Sequence, residues 1–329
     1  MVYIIILVYN NWQDTIECLE SVLKLKNIDY KIIVVDNNSP DNSLEYIKKW
    51  AEGGIKASCN SEDIKLKNLI YPLEKKPIKY RVFSKDRTIT NIKEKLIFIQ
   101  SNENRGYAAG NNIGMRCALQ DKNCEFVWIL NNDVIVEPNS LKGMVRTMKE
   151  DKSLGMCGSK TYYYYSANKI QCKGGFGYNK WFACPCKIKE PFNKKFLKYI
   201  NGASILLRRD FIETIGLLSE EYFLYFEEID WAIRGKKIYK LGYCENSIIY
   251  HKEGGTINKE SKKEKSLLSD FYSIKNRIVV TKKFYKYCLP TVYLGIIIAI
   301  INRIKRKQYK RIYLFIKLMI TFGNYKYKF

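Results

Sequence analysis

Histidine is nearly absent from this chain: among 329 residues it occurs once, at His251. Any imidazole chemistry therefore rests on that one side chain. Negative charge is also scarce, with 33 Asp and Glu against 57 Lys and Arg, a formal net charge of +24. The ten cysteines form no close pair except Cys184-Pro185-Cys186, whose one-residue spacing is not that of a zinc knuckle. They are expected as reduced thiols of a cytosolic protein, several of them in the core. A basic n-region is missing at the start, where Met1-Val2 runs straight into the short apolar segment Tyr3 to Val8. That segment is expected as a buried first strand, not a secretory signal. The tail's apolar segment, Leu289 to Ile301, is about 13 residues long, short of the roughly 20 that a spanning helix needs.

What is present fits a globular chain of one large domain or two, with 47% hydrophobic residues. The positive surplus suggests a polyanionic neighbour, and it is concentrated: Thr256 to Phe329 holds 18 Lys and Arg against 3 Asp and Glu. Lys282-Lys283 and Arg303 to Arg311 flank the apolar segment, a pattern expected of an interfacial helix beside anionic lipid. The competing expectation is a buried core helix with a solvated basic face. Nucleic acid is disfavoured, because the charge adjoins an apolar segment and not an aromatic-studded sheet face.

Strands alternate with helices. Residues 3–8 and 31–35 are continuous apolar runs, as in parallel strands covered on both faces. Between them Asp14-Thr15-Ile16-Glu17 reads as a capping box, followed by Ile16, Leu19, Val22 and Leu23 on one helical face. A second helix is expected from about Ser43 to Trp50. Residues 51–95, lysine-rich and without a long apolar run, read as an insertion with local structure of its own. Strands at 96–99 and 125–130 enclose a helix from about Ala108 to Leu119. The pattern implies a doubly wound, mainly parallel α/β sheet. Later, short strands and loops are expected around Tyr162 to Tyr165 and Phe176 to Phe182, and a strand at Ser204 to Leu207. A short helix follows from Phe211 to Ile215, a longer one from Glu227 to Leu241 closed by Gly242, and a strand from Ser247 to Tyr250 running into His251.

Four polar clusters follow apolar strands: Tyr9-Asn10-Asn11, Asp36-Asn37, Asn104-Arg105-Gly106 and Asn131-Asn132-Asp133. Ligands of open α/β sheets bind at the carboxyl ends of strands, so these clusters would line one crevice. Asp36 there would accept from a base or ribose. Gly106, Ala108, Ala109 and Gly110 either admit a ligand to the backbone or permit tight helix–strand packing. Asp133 would hold a hard divalent cation shared with a substrate phosphate. Taken singly, Asn and Asp may simply end strands and start turns.

With these motifs in their order, joined by Gly106-Tyr107-Ala108-Ala109-Gly110-Asn111-Asn112, Asn201-Gly202-Ala203, Phe223 to Trp231 and His251, the chain resembles glycosyltransferase family 2. The resemblance is to its rhamnosyltransferase-like branch, of the GT-A fold. It implies a glycosyltransferase domain over residues 1–256, divided into a nucleotide-sugar half (1–135) and an acceptor and catalytic half (136–256). A basic amphipathic tail (257–329) would associate with the membrane, placing the protein on the cytoplasmic face. The donor would be held by Val8, Tyr9, Asn10, Asp36, Asn37, Asn104, Arg105, Gly106, Gly110, Asn111, Asn131 and Asn132. Asn131-Asn132-Asp133 stands for the family's Asp-x-Asp motif with its first acid replaced. Asp133 and His251 would then bind Mn2+ or Mg2+ together with the donor diphosphate. Glu228 occupies the place of the general base, with Glu227 and Asp230 as fallbacks. Three crowded acids should raise the proton affinity of at least one, although acids at a helix start also complement its dipole. Trp231 is expected either to pack on a sugar face or to fill the core.

The reaction implied is an inverting transfer from a nucleotide-diphosphate sugar, dTDP-rhamnose or a UDP-hexose, to a hydroxyl of a glycan or lipid-linked acceptor in surface polysaccharide synthesis. Because Asn131 and Glu228 replace expected aspartates, the alternative is a catalytically altered scaffold that binds nucleotide sugars or glycans.

Overall fold

The computed structural model describes residues 1–84, 93–253 and 266–327. In chain order its elements begin β1 (Val2–Val8), α1 (Trp12–Leu23), β2 (Tyr30–Asp36), α2 (Ser43–Glu52), α3 (Ile64–Ile70), β3 (Tyr80–Ser84), β4 (Leu96–Gln100), α4 (Gly106–Leu119), β5 (Phe126–Asn131) and β6 (Val134–Val136). They continue with α5 (Ser140–Glu150), β7 (Leu154–Tyr163), β8 (Ser166–Lys173), β9 (Gly175–Asn179), β10 (Cys184–Cys186), β11 (Tyr199–Ile200), β12 (Ser204–Arg208), α6 (Arg209–Ile215), α7 (Glu227–Gly235) and β13 (Lys240–His251). Three helices close the chain: α8 (Leu267–Phe284), α9 (Leu289–Lys305) and α10 (Tyr309–Ile320).

The sheet runs β3-β4-β2-β1-β5-β12-β7-β8-β9-β10. Strands β3, β4, β2, β1 and β5 are mutually parallel, and β12 joins β5 antiparallel. Helices cover both faces of β4, β2, β1 and β5, whereas the edge strand β3 is partly exposed. Ile4, Ile6, Ile32 and Val34 pack with Ile16, Leu19, Ile47, Trp50 and Met144 on one face. Ile5, Ile33 and Val35 pack with Met115, Ala118, Phe211 and Trp231 on the other. This two-sided burial is why the strands read as unbroken apolar runs. Helix α4 rides so close to β1 that a Cβ on Gly110 would lie 2.4 Å from Leu7 Cδ1, and one on Gly114 would lie 2.6 Å from Ile5 Cγ2.

Several expectations are revised. Asp14 does not cap α1. The capping position is Asn11, in a left-handed conformation and with no side-chain bond to the helix's first turn, and Asp14 and Glu17 instead face Lys252. The segment after α2 is not wholly a separate unit: β3 extends the parallel sheet beside β4. Leu66 and Ile70 of α3 share a small core with Ile135, Tyr164 and Tyr250. Residues 85–92 of that segment lie outside the described residues. The helix expected over 227–241 ends at Gly235, and Gly242 lies inside β13, where a Cβ would meet Leu154 Cδ1 at 2.8 Å. Trp231 is core, donating Nε1–H to Gly216 O at 2.8 Å. The apolar tail segment is longer than its 13 core residues suggest. A helical stretch from Lys286 to Lys305, 20 residues, is long and apolar enough by length and composition to cross a membrane. Helices α7 to α10 share a third core that includes Phe226, Ile229, Phe271, Ile278, Val292 and Phe315. The boundary expected at residue 256 falls outside the described residues.

Gly110→Ala forces its methyl into Leu7. It should cost about 1–3 kcal/mol of overpacking in urea unfolding, whereas Gly54→Ala, whose nearest neighbour is 3.4 Å away, should cost less.

Candidate active site

A cleft of about 830 Å³ lies along the carboxyl ends of the strands. Asn37 follows β2, Tyr9 follows β1, Asn131 ends β5, Ala203 precedes β12, and Phe176 lies on β9; all line it. The cleft therefore crosses the sheet from the parallel half to the antiparallel half.

At the parallel end, Asn37 Nδ2 donates to Asn104 Oδ1 at 2.8 Å, which also accepts the Gly106 N–H at 2.9 Å. Asn37 Oδ1 is buried without a partner, leaving an acceptor for a ligand. Gly106 has a structural reason to be glycine: its φ is +88°, and a Cβ would lie 2.2 Å from Phe223 O. Asp36 does not line the cleft. It is buried one layer behind, accepting from Ser39 Oγ and from Gln100 Nε2 at 2.7 Å. Asn10 and Asn11 carry the left-handed turn after β1, with φ of 63° and 62°, a conformation Asn tolerates better than most residues. Val8 is core, Gly110 packs on β1, and Arg105 points to Glu220 at 3.1 Å. Asn111 Nδ2 returns to Tyr107 O.

In the middle, β5 ends and Asp133 meets the end of β13. His251 Nε2 lies 3.4 Å from Asp133 Oδ1. That oxygen is buried without a hydrogen-bond partner. The other imidazole nitrogen, Nδ1, lies 3.1 Å from Gln171 Oε1, an acceptor that favours a proton on Nδ1, so Nε2 is the nitrogen that could face a cation. Despite burial, the Asp133 carboxylate raises the proton affinity of the imidazole. Burial alone would push the Asp133 carboxyl up, but the His251 imidazole and the Lys252 ammonium hold it below its ordinary value. An orphaned carboxylate oxygen beside an imidazole nitrogen suits a divalent cation completed by phosphate oxygens. No third acidic, Cys or His ligand joins them among the described residues. Asn131 and Asn132 both line the cleft, although Asn132 donates its amide to Thr15 Oγ1 at 3.0 Å.

The residue after His251 is anchored to α1. Lys252 is buried, its ammonium 2.6 Å from Asp14 Oδ1 and against Glu17, and its N–H bonds Asp133 O at 3.1 Å. Residues 254–256 lie outside the described residues.

On the cleft's helical wall, α7 brings Glu227 and Glu228 to its first turn. Tyr225 and Phe226 precede them in left-handed conformations, φ 66° and 74°. Asn276 Nδ2 holds this turn, donating to Leu224 O at 2.8 Å and Tyr225 O at 2.9 Å. On the other side Tyr107 N–H donates to Phe223 O at 2.8 Å. Both Glu227 Oε2 and Glu228 Oε2 are buried without partners. Burial, then the Glu228 charge, holds the Glu227 carboxyl well above its ordinary range, while burial lifts Glu228 to about 7. Glu228 is thereby poised to exchange a proton near neutral pH, beside a Glu227 whose proton affinity is raised as well. Asp230 does not line the cleft; it is bonded to Arg234 and Lys283, each at 2.6 Å.

Sequence reasoning missed Tyr107, Gln171, Lys252, Asn276 and the α8 face. Only Asn276, polar among Ile274, Ile278 and Val279, carried a local signal.

A mainly parallel sheet crossed by such a cleft defines a glycosyltransferase of the GT-A fold. The family model for glycosyl transferase family 2 matches residues 3–69 and 83–216, more than half of the chain, and the protein belongs to that family. A curated relative, the low-salt glycan biosynthesis hexosyltransferase Agl10 of Haloferax volcanii, is 24% identical over 151 residues, 45% of this chain and 49% of its own length. The chain thus matches about half of that relative. Among solved structures, a mannosyltransferase of Pyrobaculum calidifontis in complex with GDP-Man and Mn2+ aligns with TM-score 0.52 at 13% identity, covering 91% of this chain and 74% of its own. GalNAc-T7 with UDP, GalNAc and Mn2+ aligns with TM-score 0.55 at 14% identity, covering 86% and 47%.

The lifted Glu228 value makes stability pH-dependent. A raised carboxyl contributes its full share of stability below the unfolded value of about 4.5 and loses it as pH rises through about 7. Glu228→Gln removes that loss. Urea melts should show the variant more stable than the parent by about 1–3 kcal/mol at pH 8, with a smaller difference at pH 5.

Proposed function

We propose that this glycosyltransferase is a metal-dependent, inverting enzyme that moves a sugar from a nucleotide-diphosphate donor to a hydroxyl of a glycan or lipid-linked acceptor in surface polysaccharide synthesis. The observation that carries the reading is the cleft itself: an unpaired, proton-exchanging Glu228 and the Asp133–His251 pair line the same cavity. The relative named for glycan biosynthesis and the Mn2+ complexes of similar fold support it. The motif resemblance favours dTDP-rhamnose, with UDP-hexoses as the competing donors.

Tyr9, Asn37 and Asn104 would receive the nucleotide end. Asp133 and His251 would hold Mn2+ or Mg2+, which when bound neutralises charge on the departing diphosphate. Glu228 takes the proton of the acceptor hydroxyl as that oxygen attacks the anomeric carbon. The bond from that carbon to the diphosphate oxygen breaks, its electron pair leaves with the diphosphate, and the anomeric centre inverts. The raised proton affinity of Glu227 limits the negative charge that builds up beside Glu228.

Transfer should be lost in Glu228→Gln and Asp133→Asn, with the fold retained. The parent kcat/KM should fall about tenfold per pH unit below about pH 7, as the base protonates. In thermal-shift assays UDP or dTDP should raise the midpoint more with Mn2+ than without, and this increment should vanish in Asp133→Asn. If no nucleoside diphosphate shifts the parent, the donor assignment fails.

The tail supports a peripheral position on an anionic membrane. Leu294, Ile297, Ile298, Ile301 and Ile304 are exposed along α9, next to exposed Lys305, Arg306, Lys307 and Lys310. Apolar insertion and cationic attraction reinforce one another at such a surface. Vesicles containing anionic lipid should sediment the protein in a salt-sensitive manner. Ile297→Glu/Ile301→Glu should weaken binding at least tenfold without moving the thermal midpoint.

A further inference from the structure

Helix α8 presents one face to the cleft, with Leu268, Ser269, Tyr272, Ser273 and Arg277 lining it. The cations packed around this helix are mostly matched. Arg303 and Arg311 both bind the buried Asp270, and Lys283 binds Asp230. Arg277 differs: no carboxylate pairs with it among the described residues, and its Nε is buried without a hydrogen-bond partner. A guanidinium stays charged at any working pH. Leaving such a donor desolvated and unbonded costs free energy comparable to a lost charged hydrogen bond, a cost that an oxyanion in the cleft removes.

The position of Arg277 argues against the donor diphosphate as that oxyanion. Tyr178 and Phe176 of β9 pack in the same core as Ile274 and Ile278, the α8 neighbours of Arg277. Phe176 of β9 and Tyr199 of β11 line the cleft with Arg277. In the sheet, β9 is separated from β1 by β8, β7, β12 and β5, whereas Asn37 and Tyr9 sit at the ends of β2 and β1. Glu228 and the Asp133–His251 pair line the same cleft. An acceptor must approach the anomeric carbon from the side opposite the leaving diphosphate, so the β9 end is the acceptor's. Asn276, the neighbour of Arg277, is the residue bonded to Leu224 O and Tyr225 O. The guanidinium is thereby tied to the turn that carries Glu228.

We propose that Arg277 binds a phosphate group carried by the acceptor, and so selects phosphorylated over neutral acceptors. The inference rests on the glycosyltransferase reading of the cleft, and it adds the charge and class of the second substrate. The fork geometry of Arg suits two phosphate oxygens at once. A lipid phosphate is the favoured source, because α8 shares its core with α9 and α10, whose outer faces expose apolar side chains.

The test uses the full chain with UDP and Mn2+ present, and titrates farnesyl phosphate, glucose 1-phosphate and farnesol by calorimetry. Farnesyl phosphate should bind at least tenfold more weakly to Arg277→Gln than to the parent. Arg277→Lys should be intermediate, since it keeps the charge and loses the fork. Farnesol should not distinguish the variants, and UDP should bind all of them equally. Arg277-dependent binding of glucose 1-phosphate at least as tight as that of farnesyl phosphate would keep the phosphate site and overturn the lipid source. Equal farnesyl phosphate affinity in parent and variant, or a loss of UDP affinity matching the loss of farnesyl phosphate, overturns the proposal. Should Arg277→Gln fail to fold by circular dichroism, the parent against Arg277→Lys decides, with at least threefold expected. A parent that binds no nucleoside diphosphate refutes the donor reading separately, while the farnesyl phosphate contrast is read without UDP.

Discussion

Everything in the cleft depends on how one turn is held. Residues 222–226 pass between the start of α4 and the middle of α8, and they deliver Glu227 and Glu228. Two consecutive left-handed non-glycine residues, Tyr225 and Phe226, are costly on their own, on the order of 1–3 kcal/mol each. They persist because the turn is gripped from both sides. The Phe223 carbonyl accepts from Tyr107 N–H and lies so close to Gly106 that no side chain fits. The Leu224 and Tyr225 carbonyls both accept from Asn276. The start of α4 and the middle of α8 thus meet across the catalytic turn. That contact gives the C-terminal helices a role at the site beyond any at a membrane.

A second constraint acts on the other wall. His251 ends β13, which lies between β6 and β7, and its chain continues directly into Lys252, buried between Asp14 and Glu17 of α1. A buried ion triad is a poor source of stability by itself, since desolvation offsets most of its attraction. Its value here is positional. The ammonium can satisfy two carboxylates in only one place, and that place fixes where the preceding imidazole meets Asp133. Tyr164 reinforces it, donating to Glu17 Oε1 at 2.6 Å.

The parallel half was legible because its physics is local: β1, β2, β4 and β5 are apolar runs that end in polar residues, and the structure keeps them within a residue or two. The antiparallel half was not. Strand β7 is ten residues long, yet Gly155, Cys157 and Gly158 leave it no apolar run to mark it in the sequence. Those small residues are required by close approach: a Cβ on Gly158 would lie 2.1 Å from Gly174 O, and one on Gly155 would lie 2.4 Å from the Phe211 ring. Gly242 misled for the same reason, marking strand packing instead of a helix end. The ion triad was invisible because its partners are 238 and 235 residues apart. Among the site residues, polar strand ends could be found but not sorted. Asn10 and Asn11 serve the turn, while Asn37 and Asn131 face the cleft.

The same sorting bears on the asparagine that replaces the first acid of the metal motif. With Asn131 neutral, the strand end contributes one carboxylate, Asp133, and the histidine opposite contributes none. The basic surplus does not compensate at this point, because the nearest buried cation, Lys252, is already shared by two carboxylates. A cation at Asp133 and His251 would therefore retain most of its positive charge and find its counter-charge in the diphosphate. Affinity for metal and affinity for donor are then one property and not two. In a cleft built this way the full electrostatic strength would come only with the donor in place, and Glu228, as the proposed base on α7, would meet an activated anomeric carbon only in that state.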